Sequence, residues 1–191
     1  MRKLKLYIET STWNFFFTED APQLREITKN FFALIGKGSY EIYASEVVLK
    51  EIAKAPLPRR EELMGLIRQS DPSVFELGTV MKLVEHISID LSSIRDSKIV
   101  KLFRDRALTK EAEELAQQYI KQKIVPENKI EDALHIAIAT VAEIDAVVTW
   151  NYKHLANLRR EELFQSVNLG SGYLKKIEIV TPMEVIGDEI R

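Results

Sequence analysis

The chain has 191 residues, 46% of them hydrophobic and 29% charged, a formal net charge of −2 and no cysteine. That length suits one domain with an ordinary core, and the composition is that of a folded chain. Disulfides and thiolate metal sites are excluded, so any metal needs oxygen or imidazole ligands, and the slightly acidic balance gives no overall attraction for nucleic acid.

In chain order, "KLKLYIE" (3–9) alternates lysine with leucine and turns β-branched and aromatic, predicting a strand that ends near Glu9. "TSTWN" follows, with Thr10 or Ser11 placed to cap a helix. A second helix is expected over 22–36, with Leu24, Ile27, Phe31, Phe32 and Ile35 at helical spacing and "GKG" to stop it. "YEIYAS" (40–45) reads as a strand. "SEVVLKEIAKA" (45–55) reads as a serine-capped helix with Val48, Ile52 and Ala55 on one stripe and Glu51 beside it.

The stretch 56–108 is harder to divide. "PRREELMGLIRQS" is helical up to Asp71-Pro72, "ISID" (87–90) has strand character, and 92–106 has helical character. "TKEAEELAQQYIKQKI" (109–124) is an amphipathic helix through Ala112, Leu115, Ala116, Tyr119 and Ile120. "VPENK" breaks it. "IEDALHIAIATVAEI" (130–144) is apolar nearly all round and predicts a buried helix; the strand "AVVTW" comes next, and "KIEIVT" (176–181) is a last strand ended by Pro182. Short apolar strands alternating with helical crossovers predict an α/β fold with a parallel sheet covered on both faces.

Several chemistries are excluded. Neither G-x-G-x-x-G nor G-x-x-x-x-G-K-[ST] occurs, nor G-x-S-x-G, nor H-E-x-x-H, and His86, His135 and His154 are not spaced as a zinc set. No apolar run approaches the roughly 18–20 residues of a membrane-spanning helix, and "MRKLKLYIET" lacks the apolar centre of a secretory signal. The expected location is therefore cytoplasmic, with no membrane association.

In a parallel sheet, ligands bind outside the carboxyl ends of the strands. Glu9 ends the first strand, Asn151 follows "AVVTW", Asp132 opens the buried helix before that strand, and Glu51 lies in the helix after the second strand. Like charges brought together repel, by ~4 kcal/mol per pair near 4 Å at an effective dielectric of 20, so such a group either binds protons or surrounds a cation. An all-oxygen set suits Mg²⁺ or Mn²⁺, and those ions point to phosphodiester chemistry. Taken singly, Glu51 also reads as a solvated helix residue, Asp132 as a partner of the helix dipole and Asn151 as a turn residue. Glu9 is harder to explain in that way.

"LYIETST", "YASEVVLKEI", "EDALHIAIATV", "AVVTWNYKHLAN" and "IVTPMEVI" stand in the order and spacing of PIN-domain proteins, the family that includes the VapC-type toxins, and the chain resembles that family over most of its length. The segment 56–108 matches poorly and looks longer than in compact members. The resemblance implies a single PIN-like domain over 1–191, a three-layer α/β/α sandwich with about five parallel strands. It also implies a divalent-metal-dependent ribonuclease using Mg²⁺ or Mn²⁺. The four acidic positions of the family fall on Glu9, Glu51, Asp132 and Asn151 as catalytic and metal-binding residues, and its supporting hydroxyls fall on Ser11 and Thr149. Two departures stand out: Glu9 is one methylene longer than the usual Asp, and Asn151 is neutral where Asp is frequent.

Lys153 and His154 are candidate contacts to the RNA backbone, although His154 also reads as a hydrogen-bonded surface residue and His135 as a satisfied core residue. Arg95, Lys98, Lys101, Arg104 and the pair Arg159-Arg160 are further phosphate candidates, each interspersed with acids as on a solvated face. The leading expectation is a toxin-like ribonuclease with an antitoxin partner and a homodimeric state. The alternative is a catalytically weakened PIN-like module that binds RNA or protein; another metal-dependent phosphohydrolase on the same fold is a third possibility.

Overall fold

A computed structural model describes residues 2–75, 106–152, 155 and 158–189. The expected strand at 87–90, the helix at 92–106, the basic row from Arg95 to Arg104, and Lys153 and His154 lie outside the described residues.

The elements in chain order are β1 (Leu4–Ile8), α1 (Thr10–Phe15), α2 (Pro22–Ile35), β2 (Tyr40–Ser45), α3 (Glu46–Ala53), α4 (Arg59–Ser70) and β3 (Ser73–Phe75). After the undescribed stretch come α5 (Arg106–Lys121), a 3₁₀ turn (Glu127–Lys129), α6 (Ile130–Val141), β4 (Ala146–Val148), α7 (Leu158–Gly170), β5 (Glu178–Val180) and α8 (Pro182–Glu189). The five strands form one sheet in the order β3-β2-β1-β4-β5, and every neighbouring pair is parallel. Helices flank the sheet in a three-layer α/β/α sandwich, with α5 packed on α6 and α2 packed on α8.

Register explains which side chains meet. Leu6 lies opposite Ile42 on β2 and Ala146 on β4, while Tyr7 lies opposite Tyr43 and Val147. Alternation then turns Tyr7 and Glu9 to one face of β1 and Leu6 and Ile8 to the other. Glu9 is already past the strand, but its N–H still donates to Val148 O at 3.1 Å, so the extended geometry is held to that point. Trp13, Tyr7, Tyr119, Phe31 and Phe164 are the largest wholly buried side chains of the core, and burying an apolar side chain of this class contributes about 1.5–3 kcal/mol.

Several boundaries differ from the expectation. Glu9, rather than Thr10 or Ser11, caps α1, accepting from Ser11 N with its own carboxylate. Ser45 stands at the cap position of α3 but makes no capping bond, because its hydroxyl meets Tyr7 instead. The late strand stops at Val148, so Thr149 and Trp150 belong to the turn beyond it. Pro182 opens α8 as well as closing the strand segment, in keeping with proline's fit to the first turn of a helix. β3 and α7 were not foreseen: β3 is three residues long, and α7 has almost no one-sided apolar stripe.

Candidate metal centre

The carboxyl ends of β1 and β4 deliver the first half of the site. Glu9 is 4% exposed, and its Oε2 is saturated by three donors: Ser11 N at 3.0 Å, Ser11 Oγ at 2.5 Å and Thr149 Oγ1 at 2.7 Å. The two hydroxyls in turn accept from the backbone. Trp150 N donates to Ser11 Oγ at 2.9 Å and Asn151 N to Thr149 Oγ1 at 2.9 Å. One carboxylate therefore latches the turn 149–151 to the start of α1, which fixes where Asn151 emerges. Thr12 Oγ1 donates to Val148 O at 3.0 Å, a second bond to the carbonyl that Glu9 N already reaches, and Trp13 Nε1 donates to Ile8 O at 3.0 Å, so side chains of α1 tie down the ends of both strands.

The helices supply the second half. Glu51 projects from α3 with about a quarter of its side chain exposed, and its Oε2 accepts from Thr10 Oγ1 and lies 3.1 Å from His135 Nε2. His135, on α6, is wholly buried, and the same Nε2 is 3.9 Å from Glu9 Oε1. One donor atom from each of Glu9, Glu51 and His135 lies within 4.8 Å of the other two. Asp132, one turn earlier on α6, accepts from Asn151 Nδ2 at 3.1 Å. The four oxygen-bearing candidates are thus arranged as Glu9 with Glu51 around an imidazole, and Asp132 with Asn151 as a hydrogen-bonded pair beside it.

Electrostatics follow from this crowding. Two carboxylates whose oxygens lie within 4.8 Å of each other repel by at least about 3 kcal/mol at an effective dielectric of 20. Burial pushes the Glu9 carboxyl above its ordinary range, and Glu51 adds to that; His135 and the hydroxyls of Ser11 and Thr149 pull the other way without cancelling it. For Glu51, burial also acts upward, but the hydrogen bond and charge of His135, with help from Thr10 and Lys54, outweigh it and leave the group lowered. Burial alone would depress His135, yet Glu51, Glu9 and Asp132 raise it above its ordinary value. Positive charge is favoured between these acids, and the imidazolium or a divalent cation meets that demand.

His135 is the member that sequence reading left out. It is buried and hydrogen-bonded, as a core histidine would be, but its Nε2 is aimed at the two acids. The available signal was its place three residues after Asp132, which puts both on one face of α6. Of the basic candidates, Arg159 is exposed and Arg160 is engaged with Ile124 O through its guanidinium, so Arg160 has a structural use. No helix among the described residues is long and apolar enough to cross a membrane. Comparison with protein-family models, with curated proteins and with solved structures finds no match to the chain.

Proposed function

We propose that the protein is a divalent-metal-dependent ribonuclease that hydrolyses RNA phosphodiester bonds, acting as the toxin of a toxin–antitoxin module. The observation that carries this reading is the meeting of Glu9, Glu51 and His135 donor atoms within 4.8 Å, beside the carboxyl edge of an all-parallel sheet. The family resemblance of the five motifs supports it, and the antitoxin partner and the homodimer come from that resemblance alone. The donor set fits a hard or borderline cation: two carboxylates in reach of one another, one of them part-exposed so that substrate can approach.

When bound, Mg²⁺ or Mn²⁺ supplies Lewis acidity that lowers the pKa of a water and offsets charge developing on phosphate. Glu9 would offer Oε1 to the ion, since its other oxygen is committed to Ser11 and Thr149. Glu51 holds the solvent side of the site. Asp132, whose Oδ1 accepts from Asn151 Nδ2, stands beside this set and would position a water for attack. The neutral Asn151 leaves three acids instead of four, which lowers repulsion toward the substrate phosphate.

One observation favours the second reading, a binding module of the same fold. The His135 imidazole already bridges toward both acids and compensates them in part without any cation. Cleavage of a single-stranded RNA separates the two. The ribonuclease reading expects turnover with added Mn²⁺ or Mg²⁺, abolition by EDTA and a loss of at least about a hundredfold in Asp132→Ala. Activity unchanged by EDTA or by that substitution rejects it.

A further inference from the structure

We propose that His135 Nε2 is itself a ligand of the metal centre, completing with Glu9 and Glu51 a two-carboxylate, one-imidazole set that selects Mn²⁺ over Mg²⁺. The inference rests on the metal-binding part of the proposed function and is independent of its RNA substrate.

The distances already have the dimensions of a coordination shell. Donors about 2.1 Å from one cation stand roughly 3 Å apart when they occupy adjacent octahedral positions. Nε2 lies 3.1 Å from Glu51 Oε2 and 3.9 Å from Glu9 Oε1. All three donors lie within 4.8 Å of one another, so binding one ion requires Glu9 and Glu51 to close around it rather than any change of fold.

The other face of the ring is built for ligation. Nδ1 lies 2.7 Å from Tyr7 Oη, which lies 2.6 Å from Ser45 Oγ, and all three residues are wholly buried. With the Nε2 lone pair on a cation, Nδ1–H donates to Tyr7 Oη and the tyrosine hydroxyl donates to Ser45 Oγ, so each polar atom named keeps a partner. Partners of this kind set the tautomer and aim of a metal-bound histidine. Tyr7 can serve because it lies two residues before Glu9 on β1, and strand alternation points both side chains toward α6. Chemistry then sets the preference. Mg²⁺ takes oxygen ligands in near-ideal octahedra and keeps its waters, whereas Mn²⁺ tolerates imidazole and binds a given nitrogen-containing site more tightly.

The test uses the full chain loaded with Mn²⁺ and pulsed electron paramagnetic resonance, which reads nitrogen-14 coupled to the ion. Wild type is expected to show imidazole coupling, and His135→Gln to lose it. In direct competition, wild type is expected to hold Mn²⁺ at least about tenfold more tightly than Mg²⁺, with His135→Gln erasing most of that ratio. Tyr7→Phe, which keeps the ring and the imidazole, should retain the coupling while weakening Mn²⁺ by about tenfold. This variant carries the test if His135→Gln does not fold. Bound Mn²⁺ without nitrogen coupling in wild type overturns the inference, as does unaltered coupling in a folded His135→Gln protein, or no Mn²⁺ binding at millimolar concentration. Coupling in a protein that cuts no RNA upholds the inference and rejects the nuclease; RNA cleavage without coupling does the reverse.

Discussion

Replacing Asp145 by Asn tests the electrostatics of the end of the sheet opposite the candidate metal centre. Asp145 immediately precedes β4; its carboxylate accepts from Lys5 N at 2.8 Å and meets Arg2 Nη2 and Lys175 Nζ, each at 2.7 Å. Partial burial acts to raise its pKa, but Lys175, the Lys5 N–H and Arg2 outweigh burial and hold it at about 2, against 3.8 for an ordinary Asp. A shift of that size corresponds to a ceiling of about 2.5 kcal/mol. Although the Asp145 side chain is only 13% exposed, it lies at the rim of the sheet and Arg2 is 62% exposed, so solvent and salt screen the group. Screening reduces the expected contribution to about 1 kcal/mol.

The sign is that of a depressed carboxylate. Its stabilisation is complete above about pH 4, decays as pH falls toward 2 and is absent below that. Thermal unfolding followed by circular dichroism should therefore show Asp145→Asn about 2–4 °C below wild type at pH 7, with the gap shrinking by more than half at pH 2.5. An equal gap at both pH values would show that charge on Asp145 is not what holds these strands.

Two further perturbations probe buried polar contacts. Thr149→Val keeps the shape of the side chain but removes a donor to the buried Glu9 carboxylate and an acceptor for Asn151 N; urea unfolding should report a loss of about 1–3 kcal/mol, and a loss below 0.5 kcal/mol would mean water replaces the hydroxyl. Tyr119→Phe preserves the edge-to-face contact with Phe164 at 4.8 Å but removes the donor to Asn168 Oδ1 at 2.5 Å. A similar cost of about 1–3 kcal/mol is expected by the same assay, and a neutral result would show that Asn168 finds another donor within the core.

Local pattern alone determined a good deal about this protein. The change from alternating to continuous apolar runs, with helical periods between them, marks β1, β2, α2, α3, α4 and α6, because those signals depend on residues close in the chain. The position of Glu9 just beyond β1 was legible for the same reason, since a carboxylate ending an apolar run is conspicuous, whereas Glu51 lies inside α3 and was marked only by its place beside the apolar stripe. Three-residue strands such as β3 carry too little pattern to read, and Pro182 signals a boundary without saying which element follows it.

Tertiary structure alone decided how the acids are used. Tyr7 and His135 stand 128 residues apart, and His135 and Glu51 stand 84 apart, so no local period relates them. On α6, His135 has apolar neighbours and reads as core; only the parallel pairing of β1 with β4, and the packing of α6 against the face that bears Tyr7 and Glu9, turns its nitrogen to the acids. The capping role of Glu9 has the same origin. Its carboxylate is held from both sides of the β1–β4 pair, by Ser11 and by Thr149, 140 residues away, and that contact exists only once the sheet has formed.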